Sequence, residues 1–124
     1  MLTTTAIRRI GLPMVALLIL AQMPRICRAH AVLMDSTPKP NSIVKGPELD
    51  VTLRFNVRID AGRSSIHLVA PDGTVSTLTL ANQAAPNLLQ SRVTGLRPGA
   101  YTLRWQVLAS DGHISRGAIP FNVS

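Results

Sequence analysis

Apolar and polar side chains alternate along most of residues 30–124, and this pattern predicts a chain of β-strands. The alternation is clearest over residues 101–107, where Tyr101, Leu103, Trp105 and Val107 share one face. Strict alternation over several residues is typical of a strand with one buried face. On this basis, strands are predicted over residues 30–34, 49–55, 65–70, 75–80, 88–93, 101–107 and 116–123.

The predicted strands are separated by segments rich in proline, glycine and small polar residues. Residues 36–42 contain two prolines, and both Pro71–Thr74 and Leu96–Gly99 combine proline with glycine, which favours tight turns. No helical period is found beyond residue 29. About seven short strands with such turns predict an all-β domain, a small antiparallel Greek-key β-sandwich or barrel.

The first 29 residues differ from the rest and predict a secretory signal peptide. Arg8 and Arg9 precede an almost uncharged apolar run over residues 10–23, and small residues close the segment at Cys27 and Ala29. That order is typical of a cleaved leader. A retained membrane anchor is the alternative, but the run is shorter than the roughly 18 to 20 residues that span a bilayer. We therefore expect residues 1–29 to be removed and residues 30–124 to form the exported domain.

Removal of the leader changes the charge and the available metal ligands. The whole chain has 13 basic and 6 acidic residues, but four arginines lie in the leader, which leaves nine against six and a formal charge of +3. The remaining basic residues are scattered, so nucleic-acid binding is not expected. The single cysteine, Cys27, also belongs to the leader, so the domain has no disulfide and no thiolate ligand.

Two separated stretches contain candidate metal ligands. Cleavage after Ala29 would give His30 a free α-amine, and this amine and the ring Nδ1 can chelate one ion. Asp111 and His113 are two positions apart and are joined by Gly112, which lets the chain turn tightly. An Asp-Gly turn followed by histidine is common without a metal. With a terminal His30, however, the nitrogen-rich set favours Cu(II), with zinc as the rival ion.

Several motifs together resemble the CopC/YobA-type copper-resistance proteins. The resemblance extends over residues 30–124, and the strongest part is the order of the Tyr/Trp strand and the Ser-Asp-Gly-His turn. The matching motifs are His30–Leu33, Ser36–Pro38, Leu53–Phe55, Leu96–Thr102, Arg104–Val107 and Ser110–His113, followed by Gly117 and Phe121.

This resemblance implies a periplasmic immunoglobulin-like or cupredoxin-like β-domain that binds Cu(II). Carried over by position, the family's ligands are the amine and ring of His30, Asp111 and His113. The family is associated with a CopD-type inner-membrane partner. Some members also carry a methionine-rich Cu(I) site, and this sequence departs from them because Met34 is the only methionine after residue 29.

Three functions remain open at the level of the sequence. The favoured hypothesis is an exported, monomeric, non-enzymatic protein that sequesters Cu(II) or delivers it, with residues 30–124 as the copper-binding domain. The first alternative is a copper monooxygenase that attacks polysaccharides, since such enzymes also use a terminal histidine with a second histidine. The second is a metal-free immunoglobulin-like interaction module. His67 has no ligand partner nearby in sequence and is left out of the predicted site.

Overall fold

The computed structural model describes residues 30–124, which form eight β-strands and no helix. The strands are β1 (Leu33–Thr37), β2 (Ser42–Val44), β3 (Leu49–Phe55), β4 (Ile59–Val69), β5 (Val75–Thr77), β6 (Leu88–Val93), β7 (Gly99–Ala109) and β8 (Ile114–Val123). The predicted all-β fold is confirmed. The predicted signal peptide, residues 1–29, lies outside the described residues. Between residues 30 and 124 there is no helix long and apolar enough to cross a membrane.

The strands form two sheets that pack face to face. One sheet has three strands in the order β1-β3-β6, and the other has five in the order β2-β8-β7-β4-β5. Each neighbouring pair is antiparallel except β2 and β8, which run parallel. The five-stranded sheet is therefore mixed rather than purely antiparallel as predicted.

The strand count of about seven is low by one because no strand was predicted between the turn at residues 36–42 and the strand at residues 49–55, where β2 lies. This strand has only three residues, which is too short to show an alternating pattern. It is held by pairing with the distant β8 and by the Asn41 backbone N–H, which donates to the Pro120 carbonyl at 2.7 Å. Non-local pairing of this kind leaves no periodic signal in the strand itself.

The largest error in strand boundaries concerns β4, which begins at Ile59 rather than Ser65. Its pairing with β7 shifts between Asp60 and Ser65, as in a β-bulge. A bulge adds residues to one strand and interrupts its alternation. β1 is also displaced and covers Leu33–Thr37 instead of residues 30–34. By contrast, the predicted strand 88–93 coincides with β6.

The core lies between the two sheets and is built from the apolar faces that the alternation predicted. Leu103 and Val107 on β7 are completely buried, and so is Ile66 on the neighbouring β4. Phe55 and Phe121 are the largest fully buried side chains. Each large apolar side chain removed from water stabilises the fold by roughly 1.5 to 3 kcal/mol. Both sheets and this core lie within residues 30–124.

Trp105 packs in the core, as its place in the alternation predicted. Only 8% of its surface is exposed, and its ring lies edge-on to Phe55 with 5.2 Å between the ring centroids. Gly117 is its partner on β8, and the indole occupies the space where a side chain would begin at that position. Trp105 is therefore a structural residue whose packing depends on the glycine opposite it.

Candidate metal centre

His30 and His113 meet at one end of the sandwich. His30 lies three residues before β1, and His113 belongs to the turn between β7 and β8. Their ring centroids are 5.3 Å apart and the ring planes are inclined at 66°. The two histidines predicted to share one site therefore lie side by side.

The β7–β8 turn holds His113 through its backbone. The Ala109 N–H donates to the His113 carbonyl at 2.9 Å, and the Gly112 N–H donates to the Ala109 carbonyl at 2.9 Å. Gly112 has a φ of 91°, in the left-handed region where other residues are strained. The glycine therefore allows the tight turn on which the position of His113 depends.

Asp111 is bound twice to His113. One carboxylate oxygen accepts the His113 backbone N–H at 3.1 Å, and the other lies 2.9 Å from the ring Nδ1. The backbone hydrogen bond is the largest cause of the lowered pKa of Asp111. A lowered pKa means that this carboxylate contributes to stability above its unfolded-state pKa and that the contribution is lost as pH falls through the folded-state value. Asp111 is therefore ionised at neutral pH.

A short loop after β3 connects the N-terminal segment with the β7–β8 turn. The Asn56 side-chain oxygen accepts the Val32 N–H at 2.7 Å, and the Asn56 N–H donates to the Val32 carbonyl at 3.1 Å. Two residues later, the Arg58 carbonyl accepts the Ser110 N–H at 3.1 Å. The loop at residues 56–58 thus holds the segment that carries His30 on one side and the turn that carries His113 on the other.

Asn56 was not among the predicted site residues, although its two hydrogen bonds to Val32 hold the segment that carries His30. An asparagine directly after a strand is a common turn residue, and its partner Val32 is distant in sequence. The neighbouring Ala31 is buried, which further restricts the N-terminal segment. The only available signal was the polar residue at the end of β3. A polar residue at that position is equally typical of an ordinary turn, so it does not predict the hydrogen bonds to Val32.

The donors are neighbours but do not form a complete metal site in this arrangement. Within residues 30–124 no group of three or more His, Cys, Asp or Glu side chains is arranged to hold a metal ion. The Asp111 carboxylate is directed at the His113 Nδ1, so Nε2 of that ring remains available to bind a metal ion. The α-amine of a chain beginning at His30 would add a donor that is not a side chain. The ligand set of His30, Asp111 and His113 therefore stays a prediction.

His67 takes no part in this end of the sandwich. Its Nδ1 lies 3.0 Å from the Thr77 hydroxyl on the neighbouring β5. This contact is consistent with its omission from the predicted site and gives the ring a structural partner.

The CopC domain profile matches residues 33–124, which is most of the chain. The chain belongs to the CopC domain family. Among curated CopC-related proteins, Escherichia coli K12 YobA is 31% identical over 98 residues, covering 77% of this chain and 79% of that protein. The copper transport protein CutJ of Bacillus subtilis is 28% identical over 112 residues, which are 88% of this chain but only 21% of CutJ.

Solved structures of CopC-type proteins share the fold. CopC from Methylosinus trichosporium OB3b is 31% identical, with a TM-score of 0.69 over 77% of this chain and 94% of that one. PcoC from Escherichia coli, described as a methionine-rich copper resistance protein, is 25% identical, with a TM-score of 0.63 over 77% of this chain and 100% of that one. The predicted membership of the CopC/YobA group is confirmed.

Proposed function

We propose that this chain is an exported, non-enzymatic protein that binds one Cu(II) ion, sequesters it in the periplasm, and passes it to a CopD-type inner-membrane partner. The metal would be held by the amine and ring of His30 together with Asp111 and His113. Copper is here the cargo of the protein. The contact between the His30 and His113 rings is the observation that carries the proposal.

The chemistry of these donors fits Cu(II). An amine and two imidazoles provide nitrogen ligands, and carboxylate adds oxygen, a set that suits tetragonal Cu(II). The contact between Asp111 and the His113 Nδ1 resembles the carboxylate–histidine pairs that orient imidazole ligands in metal proteins. To bind the ion itself, the Asp111 carboxylate would have to move away from the His113 Nδ1, because Nδ1 and Nε2 point away from each other across the ring. The names of PcoC and CutJ, which refer to copper resistance and copper transport, support the same cargo.

The aromatic side chains support a binding protein over a polysaccharide monooxygenase. Such an enzyme needs a broad face that binds its substrate, and exposed aromatic rings are the usual means of building one on a small domain. The chain has four Phe, Tyr and Trp residues, and all four are buried in the core. They are Phe55, Tyr101, Trp105 and Phe121.

A Cu(II) titration of protein that begins at His30 tests the proposal. We expect one equivalent to bind, with nitrogen hyperfine coupling in the electron paramagnetic resonance spectrum because most donors are nitrogen. Mass analysis of the exported protein should show His30 as the first residue. Substoichiometric binding together with a different first residue would favour a metal-free interaction module. Copper-dependent oxidation of chitin or cellulose would favour the enzyme.

Asn56→Ala is expected to weaken Cu(II) binding about 10-fold without removing a ligand. The substitution deletes the acceptor of the Val32 N–H, so the segment that carries His30 loses one of its two bonds to the loop at residues 56–58. Loss of groups that orient metal ligands typically costs 10- to 100-fold in affinity. Competition with a chromophoric copper chelator measures the change.

Asn122→Ala provides the matched control, because Asn122 is an exposed asparagine on β8 at the other end of the sandwich. Its Cu(II) affinity should equal that of the parent protein. Thermal melts of both variants without copper separate a local effect from unfolding. If Asn56→Ala bound copper as tightly as Asn122→Ala, the loop would have no role in positioning His30.

A further inference from the structure

The two sheets differ in how their outward arginines are neutralised. On the three-stranded sheet, Arg54 lies 4.0 Å from Asp35, and Arg92 forms ion pairs with both Glu48 and Asp50. On the five-stranded sheet, Arg104 and Arg116 are exposed and have no acidic partner among residues 30–124. The positive charges of these two arginines therefore have no acidic partner within this part of the chain.

Among residues 30–124, no acidic side chain is placed to pair with Arg104 or Arg116. The chain has six acidic residues, and three of them face the arginines of the three-stranded sheet. Asp60 shares the outward side of the five-stranded sheet near the metal centre, but its carboxylate lies 3.8 Å from Arg63. Asp72 accepts the Thr74 N–H, and Asp111 is bound to His113. Within residues 30–124, Arg104 and Arg116 therefore have no carboxylate partner and remain accessible to one from another molecule.

Strand pairing places the two arginines on one surface. Arg104 on β7 is opposite Ala118 on β8, and Arg116 is opposite Gln106, so the two arginines are diagonal neighbours. Diagonal neighbours in an antiparallel pair are about 7 to 8 Å apart. The Arg116 Nε donates to the Gln106 side-chain oxygen at 2.8 Å, which fixes the guanidinium and leaves its two terminal nitrogens for a further partner.

Between the arginines lies a shallow, open depression of about 430 Å³. Its lining includes His67, Ser65 and Ala118 beside the two arginines, and no acidic side chain. The small side chains of Ser65 and Ala118 leave room above the sheet. The His67 ring is held through Nδ1 by Thr77. The depression thus combines positive charge with space for an incoming chain.

We propose that this surface, the Arg104/Arg116 face, docks an extended acidic segment of a partner protein. Arginine binds carboxylates through paired hydrogen bonds, and both guanidiniums are accessible for this. Alternate residues of an extended chain are about 6.6 to 6.8 Å apart, close to the diagonal spacing of the two arginines. A segment with carboxylates on alternate residues could therefore engage both. The proposal does not depend on copper binding.

An extended segment fits this face better than a small anion. The depression is open to solvent, so a single bound anion would remain largely hydrated. Two linked carboxylates gain from both arginines at once, because the second contact is made within the same molecule.

The test uses metal-free protein of residues 30–124 and a short blocked peptide with glutamate at alternate positions and serine between them. We expect amide chemical-shift changes in a nitrogen–proton correlation spectrum to cluster on β7, β8 and the adjoining part of β4. The dissociation constant should rise several-fold between about 0.01 and 0.15 M salt, because the Debye length falls from about 30 to 8 Å.

Arg104→Gln/Arg116→Gln is expected to weaken peptide binding at least 10-fold, whereas Arg97→Gln, an exposed arginine before β7, should change it less than twofold. Thermal melts establish that all variants are folded. Equal losses in the two variants, or unchanged binding in the double variant, would overturn the proposal. Inorganic phosphate that bound as tightly as the peptide and shifted the same amides would replace it with a small-anion site.

Discussion

A single glycine added in front of His30 is expected to lower Cu(II) affinity at least about 100-fold. The addition turns the α-amine of His30 into a peptide nitrogen and moves the new amine away from the ring, so the chelating pair is lost. Loss of a group that merely orients a ligand costs 10- to 100-fold, and loss of a ligand should cost no less. Competition with a copper chelator at neutral pH measures the affinity of both proteins.

His113→Ala should produce a loss of similar size, because it removes the imidazole that contacts His30 across the sandwich end. His67→Ala is the control for removal of a histidine, since His67 is bound to Thr77 and lies outside the proposed site. It should leave affinity unchanged. Equal affinity for the parent, the glycine-extended protein and His113→Ala would show that copper binds elsewhere, and the proposed ligand set would have to be abandoned.

The prediction that His30 is the first residue gives processing a direct role in the function. The fold brings the two histidine rings together whether or not residues precede His30, because the segment is fastened through Val32 and Asn56. The second donor of His30 exists only after cleavage. We therefore expect a precursor with its leader attached to have the complete β-sandwich but weak copper binding, which would confine tight binding to the exported form.

The alternation of apolar and polar residues predicted the sheets well where one face of a strand is buried. In β7, Tyr101, Leu103, Trp105 and Val107 all point into the core, as their spacing required. The Pro71–Thr74 turn was also predictable, because Gly73 adopts the positive φ that proline-glycine turns need. These features depend on neighbours in sequence, and their signals are local.

Features that depend on distant pairing were not predictable. β2 exists because it pairs with β8, and the first residues of β4 pair with β7 on the far side of a bulge. The candidate site likewise combines a contact that is local in sequence with one that depends on distant residues. The bond between Asp111 and His113 is a local turn contact that their spacing indicated. The approach of His30 depends on the loop at residues 56–58. His30 was included in the site because of the predicted leader cleavage and the family resemblance.

Gly117→Ala is expected to destabilise the domain by about 2 to 3 kcal/mol. A Cβ at position 117 would stand 2.5 Å from Trp105 Cε2 and even closer to its Cζ2, so the indole or the strand must move. Overpacking of a core typically costs 1 to 3 kcal/mol. Against a total stability of about 5 to 15 kcal/mol, this is a large fraction. Urea unfolding followed by circular dichroism measures the loss.

A double-mutant cycle identifies the cause of that loss. Trp105→Phe removes the part of the indole that contacts Gly117, so Gly117→Ala should cost at least about 1 kcal/mol less in the Trp105→Phe background, within the range seen for residues in contact. Gly62→Ala on β4 is the matched control, because its Cβ would meet only Asp60 at an ordinary 3.4 Å, and its effect should stay within about 0.5 kcal/mol. If Gly117→Ala cost the same in both backgrounds, the loss would arise from the backbone of β8, and Trp105 would not be the reason for a glycine at this position.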